Sequence, residues 1–332
     1  MGWKGTIRSI NAAVNQAERD AKRRQRDLER NLKQQYKMQE LQQAAYEVEV
    51  FENHLEIVQS MHKECSNPLN WKEIALSSEP EKPIYSDELE CEALLNKENY
   101  KPSLIDRIFK RTEKKLAVFS DAICTAKDKD KLNYDSAISQ WERDRSDWAD
   151  SVSQAKLLLS GNVDARIQTI KELNPFTEIS SLGSNLEFSV DNEGILTVTI
   201  NIHGEEIIPK EQKSLLKSGK LSIKKMPVGK FNEIYQDYVC SSVLRAAREI
   251  FSILPDEYVV VNAQDLLLNK STGHLEQQII LSVYIPRSTL LMLNMDLIDP
   301  SDSMQNFVHN MSFKKTKGFE PVCSVNIGYW GR

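Results

Sequence analysis

The stretch from Ser103 to Ser160 constrains the fold most, because it is densely charged and contains no glycine or proline. Apolar residues recur in it at intervals of three or four, which predicts one long amphipathic helix. At a rise of about 1.5 Å per residue this helix would be about 85 Å long, too long for its apolar stripe to be buried inside a small domain. The sequence therefore predicts that the helix packs against a second one.

A second stretch, Ile7 to Glu64, also lacks glycine and proline and has apolar residues at alternating steps of three and four. This spacing is typical of a coiled-coil seam. Because the two stretches are similar in length, we predict an antiparallel helical hairpin, a coiled-coil arm formed by residues 1–161. The connecting segment, 65–102, contains prolines and two short helical patterns, which predict a small helical tip.

Residues 162–332 have a different pattern, with short alternating strands, turns and one strongly apolar helix from Lys230 to Leu254. Two β-hairpins are predicted on either side of this helix in the sequence. The predicted fold class is therefore α+β, with the long helical hairpin followed by a head domain in which two hairpins surround a central helix. The predicted hairpin strands are 185–190, 195–203, 258–268 and 275–285, and the predicted short helices are 210–218, 288–294 and 301–311.

Composition and motifs limit the classes of function. The formal net charge is −5, and no apolar run approaches the length of a membrane span, so we expect a cytoplasmic protein. The cysteines at 65, 91, 124, 240 and 323 form no CxxC pair, which indicates reduced thiols rather than disulfides or a metal site. The phosphate-binding and nucleophile motifs of common ATPases and serine hydrolases are absent from the sequence.

One arrangement is similar to a nuclease site. Asp265 lies near the end of one predicted strand, Glu276 and Gln278 lie on the next, and Glu249 lies on the preceding helix. The spacing resembles the restriction-endonuclease-like pattern Asp…Glu-x-Lys, with Gln278 in place of the lysine. That resemblance implies Mg²⁺ or Mn²⁺ as cofactor and phosphodiester hydrolysis as the activity. The alternative interpretation is that these are ordinary polar residues beside a hairpin turn.

Two clusters of basic residues could meet phosphates. The first lies between Arg19 and Lys37, where interspersed acidic residues favour a solvated helix face. The second lies in the head, where Glu211 alone offsets its charge, so it is the better candidate for nucleic acid or an acidic partner surface. It comprises Lys210, Lys213, Lys217, Lys220, Lys224, Lys225 and Lys230.

Several short sequence segments resemble a group of bacterial proteins that combine a long helical region with this carboxy-terminal module. The resemblance covers most of the chain and implies no particular activity, and it points only weakly towards anti-phage defence. The segments are Met1–Trp3, Leu173–Phe176, Lys225–Pro227, Phe231–Cys240, Ser271–His274 and Ile298–Ser301.

From these patterns we expect a non-catalytic scaffold or adaptor, a subunit of a bacterial multiprotein assembly with a protein partner along the helical arm. Self-association through the arm is a further option. The two alternatives are a metal-dependent nuclease that uses Asp265, Glu276 and Gln278, and a protein that binds nucleic acid non-specifically through the head lysines. No cofactor other than the nuclease metal is expected.

Overall fold

The structure is a computed structural model of the chain, and it describes residues 40–102, 111–175, 186–191 and 194–326. Its contacts divide it into two compact units. Unit 1 contains Glu73–Gln154, and unit 2 contains the described residues up to Lys72 together with those from Ala155 onward. The predicted basic stretch from Arg19 to Lys37 lies outside the described residues, as does the first part of the predicted seam.

The described elements are mainly helices, with strands only in unit 2. The helices are α1 (Glu40–Gln59), α2 (Trp71–Leu76), α3 (Glu88–Glu98), α4 (Thr112–Leu159), α5 (Val163–Leu173), α6 (Gly204–Ile207), α7 (Val228–Ile253), α8 (Arg287–Leu291) and α9 (Pro300–Ser303). The strands are β1 (Leu186–Val190), β2 (Leu196–Asn201), β3 (Glu211–Leu215), β4 (Leu221–Lys225), β5 (Tyr258–Leu268), β6 (Leu275–Pro286), β7 (Val308–Lys314) and β8 (Gly318–Glu320). Among the described helices, none has both the length and the apolar character needed to cross a membrane.

The long helix predicted from the sequence is present as α4, which runs for 48 residues. In unit 1 its apolar stripe is partly covered by residues 77–100, which we call the strap. The strap runs antiparallel to α4, because Tyr100 packs on Phe119 near the start of α4, whereas Ser77 is bonded to Trp148 near its end. The apolar stripe therefore has a partner, but the predicted coiled-coil hairpin with the first long stretch is not confirmed.

Unit 2 is built on a six-stranded sheet with the strand order β1-β2-β5-β6-β7-β8. The predicted hairpins are present as β1–β2 and β5–β6. Strands β2 and β5 join them by parallel pairing, with Thr197 opposite Val260. A parallel pair needs a long crossover, and the chain between β2 and β5 supplies one that includes α7. The two hairpins therefore form one continuous sheet.

Helix α7 forms the centre of the core of unit 2. Its apolar face includes Val239, Val243, Leu244 and Ile250, all with no exposed surface. Helix α1 packs against α7 and against the separate two-stranded hairpin β3–β4. The apolar residues of α1 that had been predicted for a coiled-coil seam are buried in this unit; they are Ala44, Val48, Phe51, Leu55 and Val58.

Two of the predicted short helices are wrong in whole or in part. Residues 211–215, predicted as helix, form strand β3, because they pair with β4 around the left-handed turn at Gly219. The predicted helix 301–311 ends at Ser303, and after a single 3-10 turn the chain continues as β7. Strand β7 pairs with the open side of β6, and this long-range pairing outweighs the local helical pattern.

Candidate functional site

The first predicted site residue, Asp265, lies at the carboxyl end of the parallel pair β2–β5 and is held by neighbours from three elements. The hydroxyl of Tyr235, on α7, donates a hydrogen bond to Oδ2, and the backbone N–H of Leu266 donates one to Oδ1 at 2.7 Å. Burial raises the pKa of Asp265, while the Tyr235 hydroxyl, the N–H groups of Leu266 and Gly204, and the charge of His203 partly oppose the increase. Each carboxylate oxygen therefore accepts a hydrogen bond from a neighbouring residue of the fold.

Glu276 is turned towards the end of the β5–β6 hairpin. It accepts hydrogen bonds from Asn269 Nδ2 at 2.8 Å and from the Thr272 hydroxyl at 2.6 Å. These two bonds lower the pKa of Glu276. The carboxylate thus closes the turn between the strands, with each oxygen held by a different turn residue.

Gln278 stands directly opposite Asp265 in the strand register, and its amide donates a 3.3 Å hydrogen bond to the carbonyl of Leu267. The register places Glu276 opposite Leu267, so Asp265, Gln278 and Glu276 share one face of the hairpin. Across residues 40–102, 111–175, 186–191 and 194–326, no group of three or more His, Cys, Asp and Glu side chains could hold a metal ion. The nuclease site stays a prediction.

The predicted lysine cluster lies largely on the β3–β4 hairpin and the loops around it. Lys213 is half-buried and forms an ion pair with Glu47 of α1, 3.1 Å away. Lys230 is also only partly exposed, at the start of α7. The other members of the cluster are exposed; they are Lys210, Lys217, Lys220, Lys224 and Lys225. The hairpin therefore presents a basic edge, part of which is neutralised by the acidic helix beneath it.

A buried polar stripe runs along α7, of which the sequence analysis named only Glu249, as part of the nuclease-like arrangement. Asp237, Ser241, Arg245 and Glu249 recur at intervals of four, so they share one side of the helix. Arg245 and Glu249 are almost completely buried and form an ion pair of 2.8 Å between Nη2 and Oε1. The signal that could have revealed the stripe is this regular polar spacing inside an otherwise apolar helix.

Residues 60–71, which we call the crossing segment, lie over this stripe and form hydrogen bonds with it. The backbone N–H of Ser66 donates to Glu249 Oε1 at 3.2 Å. Further along, the N–H of Leu69 donates to the carbonyl of Ser252 at 2.7 Å, and the indole of Trp71 donates to the carbonyl of Ile253 at 2.8 Å. The stripe and the last carbonyls of α7 therefore fix the crossing segment to this helix.

In unit 1, helix α3 of the strap carries the candidate interaction site. Its inner side lies towards α4, where the N–H of Glu90 donates to Asp130 Oδ2 at 2.9 Å and Lys97 donates to Ser120 at 3.3 Å. Its other side is exposed and mixes apolar with acidic residues. We call this side the outer α3 face; it consists of Asp87, Glu88, Cys91, Glu92, Leu94, Leu95 and Glu98.

Comparison of the chain with models of protein families, with curated proteins and with solved structures gave no match. The resemblance to bacterial helical proteins and the nuclease-like spacing therefore stay predictions from the sequence.

Proposed function

We propose that the protein is a non-catalytic interaction protein, an adaptor or assembly subunit, which binds a basic amphipathic segment of a protein partner on the outer α3 face. The observation that carries this proposal is the exposure of apolar side chains beside acidic ones on α3. Leu94 and Leu95 keep 40% and 57% of their surface exposed. Adjacent exposed leucines with acidic neighbours form an apolar patch of the kind that marks a protein–protein contact.

The charge of the strap specifies the chemistry of the partner. Acidic residues outnumber basic ones along residues 77–100, and on the outer α3 face every charged residue is acidic. A helix with lysine or arginine on one side and leucine-like residues on the other would match both the charge and the apolar surface. The neighbouring Ile84, with 92% of its surface exposed, would extend the contact.

A defined peptide tests this proposal. The probe is a synthetic helix with leucines on one face and lysines on the other, labelled for fluorescence anisotropy and added to the full chain. Glu88→Lys combined with Leu95→Ser should weaken binding by about tenfold or more, because the pair removes both an attractive charge and an apolar contact worth about 1.4 kcal/mol together. Binding to the unchanged chain should also weaken as salt is added.

The matched control makes the same chemical change elsewhere in unit 1. Asp135→Lys combined with Leu132→Ser alters an exposed acid and an exposed leucine on α4, and should leave the affinity unchanged. Equal loss in the control and the α3 variant would contradict the proposal. Equal binding of a peptide with the same composition but scattered leucines would contradict it as well.

A second candidate function is non-specific binding of nucleic acid at the β3–β4 hairpin. It is favoured by the exposed lysines of this hairpin, whose charge is offset within residues 210–230 by Glu211 alone. Such a surface would neutralise phosphates without reading bases.

The metal-dependent nuclease is tested by incubation of the protein with plasmid and Mg²⁺ or Mn²⁺. Cleavage that is abolished by Asp265→Ala and by Glu276→Ala would replace the adaptor proposal.

A further inference from the structure

Two tryptophans of α4 hold the extended first part of the strap by the same kind of bond. The indole N–H of Trp141 donates to the backbone carbonyl of Pro80 at 2.9 Å. The indole N–H of Trp148 donates to the carbonyl of Ser77 at 3.2 Å and to its hydroxyl at 3.0 Å. Trp141 and Trp148 are two helical turns apart, so they form one face, which we call the tryptophan face.

The segment that lies on this face, residues 77–83, is neither helix nor strand. It contains Pro80 and Pro83, spaced as in the PxxP segments that adopt a polyproline II conformation. Proline fixes its own backbone angle, and the residue before it is biased towards an extended conformation. Grooves that recognise such segments are lined by aromatic rings. Here an indole N–H also bonds a proline carbonyl of the segment.

Charged contacts add specificity around Trp141. Arg145 Nε donates to Glu79 Oε1 at 2.5 Å, so the acidic residue immediately before Pro80 is paired. The guanidinium of Arg145 and the ammonium of Lys82 each lie 5.6 Å from the centroid of the Trp141 ring, within the range of cation–π attraction. The preferred segment therefore has an acidic residue before the first proline.

The strap does not fill the surface around the tryptophan face completely. An open groove beside it is lined by Glu142, Arg145, Ser146, Trp148 and Ala149. Two of these residues, Arg145 and Trp148, also hold the strap. The face can therefore be approached from solvent next to the bound segment.

We propose that the tryptophan face is a binding groove for an extended, proline-containing segment of a partner protein with an acidic residue before its first proline. In the isolated chain, residues 77–83 occupy the groove as an intramolecular ligand and compete with the partner. This proposal concerns a different surface from the outer α3 face and does not depend on it. The intramolecular ligand reduces the apparent affinity for the partner in proportion to the fraction of time that the groove is free, so a groove that is free one-tenth of the time binds about tenfold more weakly.

The test uses a fluorescent peptide with the sequence of residues 76–86 and two forms of the full chain. In one form, which we call the emptied form, residues 77–83 are replaced, residue for residue, by glycine and serine, which removes Glu79 and both prolines and leaves a flexible segment that competes poorly for the groove. The emptied form should bind the peptide about tenfold more tightly than the unchanged chain, because the competition is weaker. A peptide with alanine in place of both prolines should bind the emptied form more weakly. Equal affinity of the two forms of the chain would overturn the proposal.

Variants in the emptied form check which surface binds the peptide. Trp141→Phe and Trp148→Phe keep an aromatic ring but lose the indole N–H, and each should weaken binding, whereas Leu132→Ala on α4 should not. Unchanged binding in both phenylalanine variants would overturn the proposal.

Arg145→Gln tests the same surface with both indoles intact, and it decides the question if either phenylalanine variant loses helix content by circular dichroism. It should reduce binding of the Glu79-containing peptide and not of a peptide with glutamine there, and an equal effect on both peptides would also overturn the proposal.

Discussion

The hydroxyl of Ser241 on α7 lies 2.9 Å from both the backbone nitrogen and the Nδ1 atom of His62 in the crossing segment. The backbone N–H donates to the hydroxyl oxygen. The same hydroxyl bonds Nδ1, as donor or acceptor according to the tautomer of His62. His62 is almost completely buried, so this arrangement couples its protonation to the docking of the crossing segment.

The contribution of His62 to the free energy of unfolding should decrease as the pH falls below about 6.5. Burial lowers the pKa of His62 below 6.5, the nearby charges of Lys63 and Arg248 lower it further, and the Met295 carbonyl and Asp299 oppose this only in part. Between the lowered pKa and 6.5, the unfolded chain binds more protons than the folded chain, so acid favours unfolding there, by at most about 1.4 kcal/mol per pH unit.

Urea unfolding of variants at several pH values checks this prediction. Asp237 acts in the opposite direction, because burial raises the pKa of its carboxyl and protonation then favours the folded state. The contribution of His62 is therefore taken as the difference in slope between the unchanged chain and His62→Gln. The exposed His274→Gln serves as control and should keep the original pH dependence. Identical slopes for His62→Gln and the unchanged chain would show that His62 is not the titrating group.

Glu249→Gln should destabilise unit 2 strongly. The substitution removes the negative charge that faces Arg245, and the arginine side chain keeps only 5% of its surface exposed. Removing one side of a buried pair typically costs about 3–5 kcal/mol, and Glu64, which is half exposed and 3.8 Å from Arg245 Nη1, replaces the lost carboxylate only in part. The comparison is Glu233→Gln, which breaks the exposed pair with Lys315 and should cost less than about 1 kcal/mol. Similar unfolding free energies for the two variants would contradict this account.

Gly204→Ala should destabilise unit 2 and release Asp265. A methyl group at Gly204 would overlap the ring of Tyr235, which is packed and cannot move freely. Overpacking of this kind typically costs about 1–3 kcal/mol. Tyr235→Phe separates the two effects, because it keeps the ring and removes only the hydrogen bond to Asp265. Chemical denaturation of both variants should give the larger loss for Gly204→Ala, and the reverse order would refute the steric explanation.

The lysine hairpin gives a prediction about salt. Replacing the exposed Lys217, Lys220 and Lys224 by glutamine should weaken binding to a DNA duplex and flatten the slope of affinity against salt, by about one counterion for each phosphate that is no longer neutralised. Lys213→Gln is the matched control, because Lys213 already pairs with Glu47 and should contribute little to the slope. Fluorescence anisotropy titrations at several salt concentrations measure the slope of DNA affinity against salt concentration for each variant. A slope that is unchanged in the triple variant would exclude this surface as a phosphate site.

The sequence placed Asp265 on one predicted strand and Glu276 and Gln278 on the next, and these strands are present as β5 and β6. That the three side chains share one face follows from the register between the strands. The orientation of their polar atoms could not be predicted, because Tyr235 belongs to α7 and Asn269 and Thr272 belong to the turn. Hydrogen bonds from these residues depend on how the helix and the turn pack on the strands.

The sequence by itself determined the elements whose periodicity is strong: the long amphipathic helix α4, the apolar helix α7 and the two principal hairpins. These elements depend on the spacing of apolar residues and on turn residues, and both act locally in the chain. Only the tertiary structure decided which surfaces meet. In unit 1, the strap covers the stripe of α4 in part, and in unit 2, α1 buries its stripe against α7 and β3. An apolar stripe specifies that it will be covered but not by what, because hydrophobic burial is non-directional.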